Sequence, residues 1–123
     1  STVFLMARRA DGSMLLQRRP PVGVWGGLWC FPQCEDEHAL SPTLADLGLR
    51  PGERRDLEPV RHTFSHFHLD IQPVLMDVDD AGNTLRDDEA LTWLGSRQHH
   101  TVGLAAVVVR LLQIVTRIPR ETR

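Results

Sequence analysis

A stretch near the C-terminal end of the sequence, residues 101–117, restricts the possible folds more than any other segment. Its apolar residues recur three and four positions apart, at Leu104, Val107, Val108, Leu111, Leu112 and Val115. A helix with this spacing has one apolar face, which must be covered by another element of structure. The segment therefore predicts a helix that packs on a sheet formed by the rest of the chain.

The beginning of the sequence is typical of a β-hairpin. Residues 3–9 and 14–18 are rich in apolar side chains and flank Asp11 and Gly12. An Asp-Gly pair supplies the positive φ angles that a tight hairpin turn needs. After the hairpin, residues 25–32 predict a loop that enters a short buried strand.

The middle of the sequence predicts two further strands, over residues 57–63 and 67–78, joined at residues 64–66. Apolar and polar residues alternate at the start of the second strand, which places one set on the core face. That set is Phe67, Leu69 and Ile71. Pro73 lacks a backbone N–H, so it predicts an edge or a bulge in this strand.

Helical composition over residues 35–47 predicts a second helix, with Gly48 as its C-cap. Proline is tolerated only in the first turn of a helix, so Pro42 predicts a broken helix or one that begins near this residue. Residues 79–83 predict a turn, and residues 90–94 a short strand.

This order of elements predicts an α+β fold, in which a mixed β-sheet is sandwiched by helices. The length of 123 residues and the hydrophobic content of 41% suit one domain that buries a core without disulfides or metal ions. We expect residues 1–117 to form this domain and residues 118–123 to be a frayed tail.

Composition argues against several classes of function. Cys30 and Cys34 are too few to form a zinc or iron–sulfur site alone, and a reducing, cytoplasmic setting is expected. No apolar run approaches the roughly 20 residues of a membrane-spanning helix, so we expect no membrane partner. The net charge of −2 argues against strong nonspecific binding of nucleic acid, and any DNA contact must be local.

Residues 27–49 resemble a known signature in spacing but not in acidic residues. Gly27, Gly48 and Leu49 match the Nudix signature, Gly-x5-Glu-x7-Arg-Glu-U-x-Glu-Glu-x-Gly-U, in which U is a bulky apolar residue. Nudix hydrolases use glutamates of this signature to hold a divalent metal against a diphosphate. The positions of the signature's arginine and acids are occupied here by Gln33, Ser41, Pro42, Ala45 and Asp46. One carboxylate is a poor magnesium site, so we expect neither a metal site nor catalytic residues in this chain.

Three segments, in order along the chain, resemble the C-terminal domains of MutY-type adenine DNA glycosylases. They contain the sequences GVWGGLWCFPQ at residues 23–33, RHTFSHFHLDI at residues 61–71 and VGLAA at residues 102–106. The chain departs from the family pattern at Val107, which replaces a common proline, and at residues 99–100. The resemblance implies a Nudix-like (MutT-like) fold that senses 8-oxoguanine opposite adenine. It also implies an upstream catalytic domain that carries a 4Fe-4S cluster, whereas we expect no cofactor in this chain.

The same resemblance places the contact with the lesion at Phe64, Ser65 and His66. Guanine accepts hydrogen bonds at N7, whereas 8-oxoguanine has a proton there and a carbonyl oxygen at C8. The Ser65 hydroxyl can accept from the first group and donate to the second. Phe64 would stack or act as a wedge, and His66 would face the backbone of the lesion strand. The partner implied is double-stranded DNA with 8-oxoguanine opposite adenine.

Arginines provide further candidates for DNA contact. Arg18, Arg19 and Arg61 are the main candidates for phosphate contacts, with Arg54 and Arg55 also considered. A solvated surface position is the ordinary alternative for each of them.

Other interpretations of these residues stay open at this point. The chain could be an active nucleotide diphosphate hydrolase with a rearranged metal site, or a protein-interaction module. Acidic runs at residues 35–37, 77–80 and 87–89 could supply metal ligands, although solvated surface charge is the commoner role. Phe64 could be a core residue, and Ser65 a local cap of the turn.

Two more sets of residues have a functional and a structural interpretation. A metal site at His62, His66 and His68 would need further ligands, and we do not expect one. Trp25 and Trp29 could stack on bases, but packing in the loop is the commoner role of such residues.

Overall fold

The computed structural model describes residues 1–80, 90–95 and 103–119. The strands in these ranges are β1 (Thr2–Arg8), β2 (Met14–Arg18), β3 (Trp29–Cys30), β4 (Gln33–Cys34), β5 (Leu49–Asp56), β6 (Val60–Thr63), β7 (His68–Asp80) and β8 (Leu91–Leu94). The helices are α1 (Leu40–Asp46), which follows a 3-10 turn at Glu37–Ala39, and α2 (Ala106–Val115).

The strands of the described ranges form one mixed sheet of eight strands. Its centre is the parallel pair of β1 and β7, which runs from Thr2 opposite Ile71 to Arg8 opposite Asp77. The other edge of β1 pairs antiparallel with β4 and with the start of β2. β2 in turn pairs with β3 and β8, whereas β7 carries β5 and β6 on its far edge.

The sheet separates two layers of core. Phe4 and Met6 of β1 pack towards α2, in the cluster that includes Val107, Val108, Leu111, Leu112 and Val115. Leu5 of β1 faces the opposite side, where Leu40 and Leu44 of α1 cover the sheet. Side chains of β1 alternate between the two layers because successive residues of a strand point to opposite faces. The predicted α+β fold, a mixed sheet sandwiched by helices, is confirmed.

Two turns follow the sequence-based predictions. The first hairpin is closed by the N–H of Arg9, which donates to the Ser13 carbonyl at 3.0 Å, and Gly12 has a φ of +87°. α1 carries Pro42 in its first turn, and Gly48 follows its end with a φ of +70°. A left-handed residue at this position ends a helix at low cost only when it is glycine.

Strand β5, over Leu49–Asp56, was not predicted. Only its first residue, Leu49, is buried, and the seven residues that follow are exposed. The strand therefore has no apolar alternation, and Pro51 and Gly52 are residues typical of loops. Its pairing with β7 shifts register between Pro51 and Arg54, and this pairing extends β7 to Asp80. The predicted turn at residues 79–83 is wrong at its first two residues, and residues 81–83 lie outside the described part of the chain.

The predicted core position of Phe67 is wrong, because β7 begins one residue later, at His68. The ring of Phe67 is 46% exposed, whereas Ile71 is buried and Leu69 half-buried. The preceding strand also begins later than expected, since residues 57–59 connect β5 to β6 and include Pro59.

Pro73 lies at a break in sheet pairing, within a central strand and not at an edge. On one side of β7, β6 pairs as far as Ile71, and β5 takes over from Val74. The N–H of Leu57 donates to the Pro73 carbonyl at 3.0 Å, and the Gln72 side chain donates to the Leu57 carbonyl at 2.8 Å. A residue without an N–H fits here because the change of partner interrupts the ladder.

Helix α2 begins later than predicted, at Ala106, because the residues before it pair with β3. The N–H of Trp29 donates to the Gly103 carbonyl at 2.8 Å, and the N–H of Ala105 to the Trp29 carbonyl at 3.1 Å. Residues 101–102 of the predicted helix lie outside the described part of the chain. Ile118, expected in the tail, packs against the core on the α2 side of the sheet.

An ion pair is buried at the end of the central strands. The Nε of Arg8 donates to Asp77 Oδ1 at 2.9 Å, and the two side chains are 7% and 11% exposed. A second guanidinium nitrogen of Arg8 donates to the carbonyl of Ile118. Asp77 was predicted to carry solvated surface charge, and this prediction is wrong because the carboxylate pairs with Arg8 inside the fold.

Cys30 is fully buried in β3, and burial raises the pKa of its thiol to about 11. We expect the free energy of unfolding to fall as the pH rises from about 9 towards 11, because only the unfolded chain forms the thiolate readily. All fourteen basic residues are arginine and the sequence has no tyrosine, so few other groups titrate in this window. Urea unfolding at several pH values measures the slope, and Cys30→Ala should reduce it. A slope unchanged in that variant would contradict the prediction.

Candidate nucleic-acid interface

The loop between β6 and β7 is a tight turn, which we call the hairpin tip (residues 64–67). The N–H of Phe64 donates to the Phe67 carbonyl at 2.8 Å and closes the turn. Just below it Thr63 pairs with His68, and the Thr63 Oγ1 lies 2.9 Å from His68 Nδ1. Backbone and side-chain hydrogen bonds therefore both fix the conformation of the tip.

The tip brings the three candidate contact residues together at the surface. Ser65 and His66 are exposed, whereas Phe64 is half-buried. The polar side chains are therefore accessible to a docking molecule, and only the phenyl ring has a partly structural environment.

An aromatic cluster connects the tip to the core. Phe64 stacks on Phe67, with ring centroids 4.7 Å apart and planes 24° from parallel. Its ring also contacts His62 at 4.6 Å and Trp25 at 5.4 Å. Trp25 in turn contacts Phe4, with centroids 5.9 Å apart, and Phe4 is fully buried. The orientation of Phe64 is thus set by packing that continues into the core.

Trp25 is placed by an irregular loop between β2 and β3. It has a φ of +54°, a left-handed conformation that is uncommon for a bulky residue and costs of order 1–3 kcal/mol. Its carbonyl accepts from the N–H of Leu28 at 3.0 Å. The next residue has no room for a side chain, since a Cβ on Gly26 would lie 2.6 Å from the Pro21 carbonyl oxygen. The sequence suggested packing of Trp25 in the loop, but no sequence signal indicated its contact with Phe64.

The candidate arginines differ in their environments. Arg61 is exposed and forms an ion pair with Asp70 at 2.8 Å, and this hydrogen bonding lowers the pKa of the Asp70 carboxyl. Arg18 is exposed, and its Nε donates to the Gly27 carbonyl at 3.3 Å. Arg19 is half-buried, and its Nε is a buried side-chain atom without a hydrogen-bond partner within the described ranges. Arg54 lies in β5 and forms ion pairs with Glu37 and Asp56. Arg18 and Arg61 are thus the accessible candidates nearest in sequence to the aromatic cluster.

The residues at the signature positions do not fit a divalent metal. Ser41, Pro42, Ala45 and Asp46 are all exposed on α1, and Gln33 is half-buried in β4. Hard cations such as Mg²⁺ need several carboxylate or carbonyl oxygens, and this set contains a single carboxylate. Across the described ranges, no three His, Cys, Asp or Glu side chains are grouped as a metal site requires.

The other proposed ligands are also dispersed where the structure describes them. His62 lies opposite Leu69 and packs on Trp25, whereas His68 lies opposite Thr63. Because adjacent positions of a strand point to opposite faces, these pairings put the two histidines on opposite faces of the hairpin. The acidic run at residues 35–37 is exposed, and the run at residues 87–89 lies outside the described part.

None of the helices in the described ranges has the length and apolar character needed to span a membrane.

Comparison with known proteins agrees with this architecture. The sequence matches the family description of the NUDIX domain over residues 3–113. It is 25% identical over 92 residues to an adenine DNA glycosylase of Buchnera aphidicola subsp. Schizaphis graminum (strain Sg), a match that covers 74% of this chain and 26% of that protein. The chain thus spans about a quarter of the length of the adenine DNA glycosylases it matches.

Solved structures share the fold over almost the whole chain. The C-terminal domain of mouse MUTYH, solved in complex with human PCNA, has a TM-score of 0.71 at 17% identity, with 99% of this chain and 92% of that chain covered. A Nudix hydrolase from M. smegmatis, RenU, has a TM-score of 0.61 at 23% identity, with 100% and 90% covered. The predicted Nudix-like fold and the resemblance to adenine DNA glycosylases are confirmed. The chain belongs to the NUDIX domain family.

Proposed function

We propose that this chain is the domain by which a MutY-type adenine DNA glycosylase recognises 8-oxoguanine opposite adenine, and that it cuts no bond itself. The observation that carries the proposal is the hairpin tip, which presents Ser65 and His66 at the surface of a Nudix-type fold. Its partners are duplex DNA that contains the lesion and the catalytic domain of the same parent protein.

The chemistry of Ser65 suits this role. A hydroxyl has one donor and two acceptor lone pairs, so it can accept from the N7–H of 8-oxoguanine and donate to its C8 oxygen. Guanine offers only an acceptor at N7, so it cannot form the first of these hydrogen bonds. Because the turn is closed by the hydrogen bond between Phe64 and Phe67, little ordering of the backbone is needed when DNA binds.

The lost signature acids support a role in recognition and argue against hydrolysis. Nudix hydrolysis depends on carboxylates that hold a divalent metal against the diphosphate. In this chain Asp46 is the single carboxylate among the signature positions, and it is exposed at the end of α1. The domain thus has the fold of the Nudix hydrolases but lacks the group of carboxylates that binds their metal.

The test compares adenine excision from duplexes with 8-oxoguanine or guanine opposite adenine, using the full-length parent enzyme. Replacing Ser65 and His66 together by alanine should lower the ratio of the two rates by roughly 5- to 100-fold, since a polar base contact contributes on the order of 1–3 kcal/mol of discrimination. His38→Ala with Ser41→Ala is a matched control, because both residues are exposed in or beside α1. That control should leave the ratio unchanged.

Two results would contradict the proposal. An unchanged ratio in the Ser65/His66 variant would remove the tip from lesion recognition. Magnesium-dependent release of phosphate from 8-oxo-dGTP by this domain would instead assign it a hydrolase activity.

A further inference from the structure

The two phenyl rings of the hairpin tip have different environments. Phe64 is half-buried between Phe67, His62 and Trp25. Phe67 is 46% exposed, and within the described ranges it stacks on Phe64. Phe67 is therefore more exposed than the alternation of the sequence predicts, and Phe64 is the more buried ring of the two.

We propose that Phe67 is the aromatic residue that stacks on DNA, and that Phe64 is a positioning residue beneath it. This inference rests on the proposed function, because the base that stacks on the exposed ring is the one next to 8-oxoguanine. Stacking on aromatic side chains is a common way for proteins to hold nucleobases that leave the regular stack.

The geometry of the ring pair supports this assignment. The planes of Phe64 and Phe67 are 24° from parallel and their centroids lie 4.7 Å apart, so the inner ring packs against the outer one in an offset stack. Because the turn hydrogen bond joins the backbones of the same two residues, the backbone that carries both rings is fixed. A planar and rigid apolar surface loses little conformational entropy when a base stacks on it.

The surroundings of Phe67 suit a nucleotide better than a hydrophobic partner. Ser65, His66 and His68 are exposed next to it in sequence, and Thr63 is exposed opposite His68. Hydroxyl and imidazole groups can form hydrogen bonds with the sugar and phosphate groups that accompany a stacked base. A single exposed ring within a polar rim therefore matches one base and its backbone.

The experiment uses the full-length parent enzyme and duplexes with 2-aminopurine next to 8-oxoguanine. We expect Phe67→Leu to weaken binding of the lesion duplex by roughly 5- to 50-fold, since stacking on one base contributes this much. The 2-aminopurine fluorescence change on binding should be lost with Phe67→Leu and retained with Phe67→Trp. If the ring only supported the fold, the fluorescence change would not depend on whether residue 67 is tryptophan or leucine.

Val22→Ala is a control for loss of exposed apolar surface, because Val22 is 80% exposed in the loop before Trp25. If Phe67→Leu binds like the wild type, the inference is wrong, even when the Ser65/His66 variant loses discrimination. If the Ser65/His66 variant keeps its discrimination, the proposed function fails, whatever Phe67 does. If Phe67→Leu has a lower thermal stability but keeps the 2-aminopurine fluorescence change on binding, the ring has a structural role and the inference is overturned.

Discussion

Asp77→Ala is expected to lower the free energy of unfolding by about 3–5 kcal/mol, because it removes the carboxylate that pairs with the buried Arg8 guanidinium. The pair lies at the ends of β1 and β7, beside the Ile118 carbonyl, with Nε and Oδ1 2.9 Å apart and both side chains nearly inaccessible. Removing one partner of a buried ion pair costs more than the pair itself contributes, since the remaining buried charge loses a carboxylate that offsets its desolvation. Urea unfolding at neutral pH measures the difference.

The matching control replaces both partners, as Arg8→Met with Asp77→Leu. This double variant should recover most of the lost stability, because apolar residues of similar volume need no charge partner. A double variant as unstable as Asp77→Ala would mean that the pair contributes through its hydrogen bond to the Ile118 carbonyl and not through charge compensation.

Trp25→Ala should affect stability and lesion discrimination together. The ring contacts Phe4, His62 and Phe64, so its removal leaves a cavity between the core and the hairpin tip. Loss of a large aromatic side chain costs 3–5 kcal/mol when it is fully buried, and we expect about 2–4 kcal/mol for this half-buried one. Under the proposed function, the ratio of excision rates should also fall, because Phe64 loses one of its supports.

Trp93→Ala separates these two effects. Trp93 is also half-buried, but it belongs to β8, packs on the α1 side of the sheet and lies under the guanidinium of Arg9 at 4.1 Å. This variant should lose stability while its discrimination stays at the wild-type value. If Trp25→Ala lowers stability but leaves the ratio of excision rates unchanged, packing of Trp25 does not contribute to the orientation of the hairpin tip.

Elements of the fold could be predicted from sequence where burial of one face makes the apolar residues periodic, or where a turn has a typical sequence. The apolar spacing of residues 101–117 predicts α2, and the Asp-Gly turn predicts the first hairpin. Strand β5 could not be predicted in this way, because apart from Leu49 neither of its faces buries apolar side chains. Its strand conformation depends on hydrogen bonds to β7, a segment distant in sequence, and tertiary pairing overrides local propensity in such cases.

The position of the candidate residues between two strands could be predicted from sequence, but the geometry around them could not. The sequence placed Phe64, Ser65 and His66 at the junction of two strands, where the structure has a closed turn. Alternation also assigned Phe67 to the core, because a periodic pattern does not reveal where the strand begins. The support from Trp25 depends on a left-handed residue that is rare for tryptophan, so no propensity argument could indicate it.

The central position of β1 has a consequence for how the chain reaches its native state. β1 pairs in parallel with β7 along its full length, and the partners Arg8 and Asp77 are 69 residues apart in sequence. The entropy of closing such a long loop must be lost before this pairing contributes any free energy. During synthesis β1 therefore cannot pair with β7 until the segment beyond residue 70 has left the ribosome. Folding of the sheet is thus expected to be slow compared with formation of the first hairpin, which needs only local contacts.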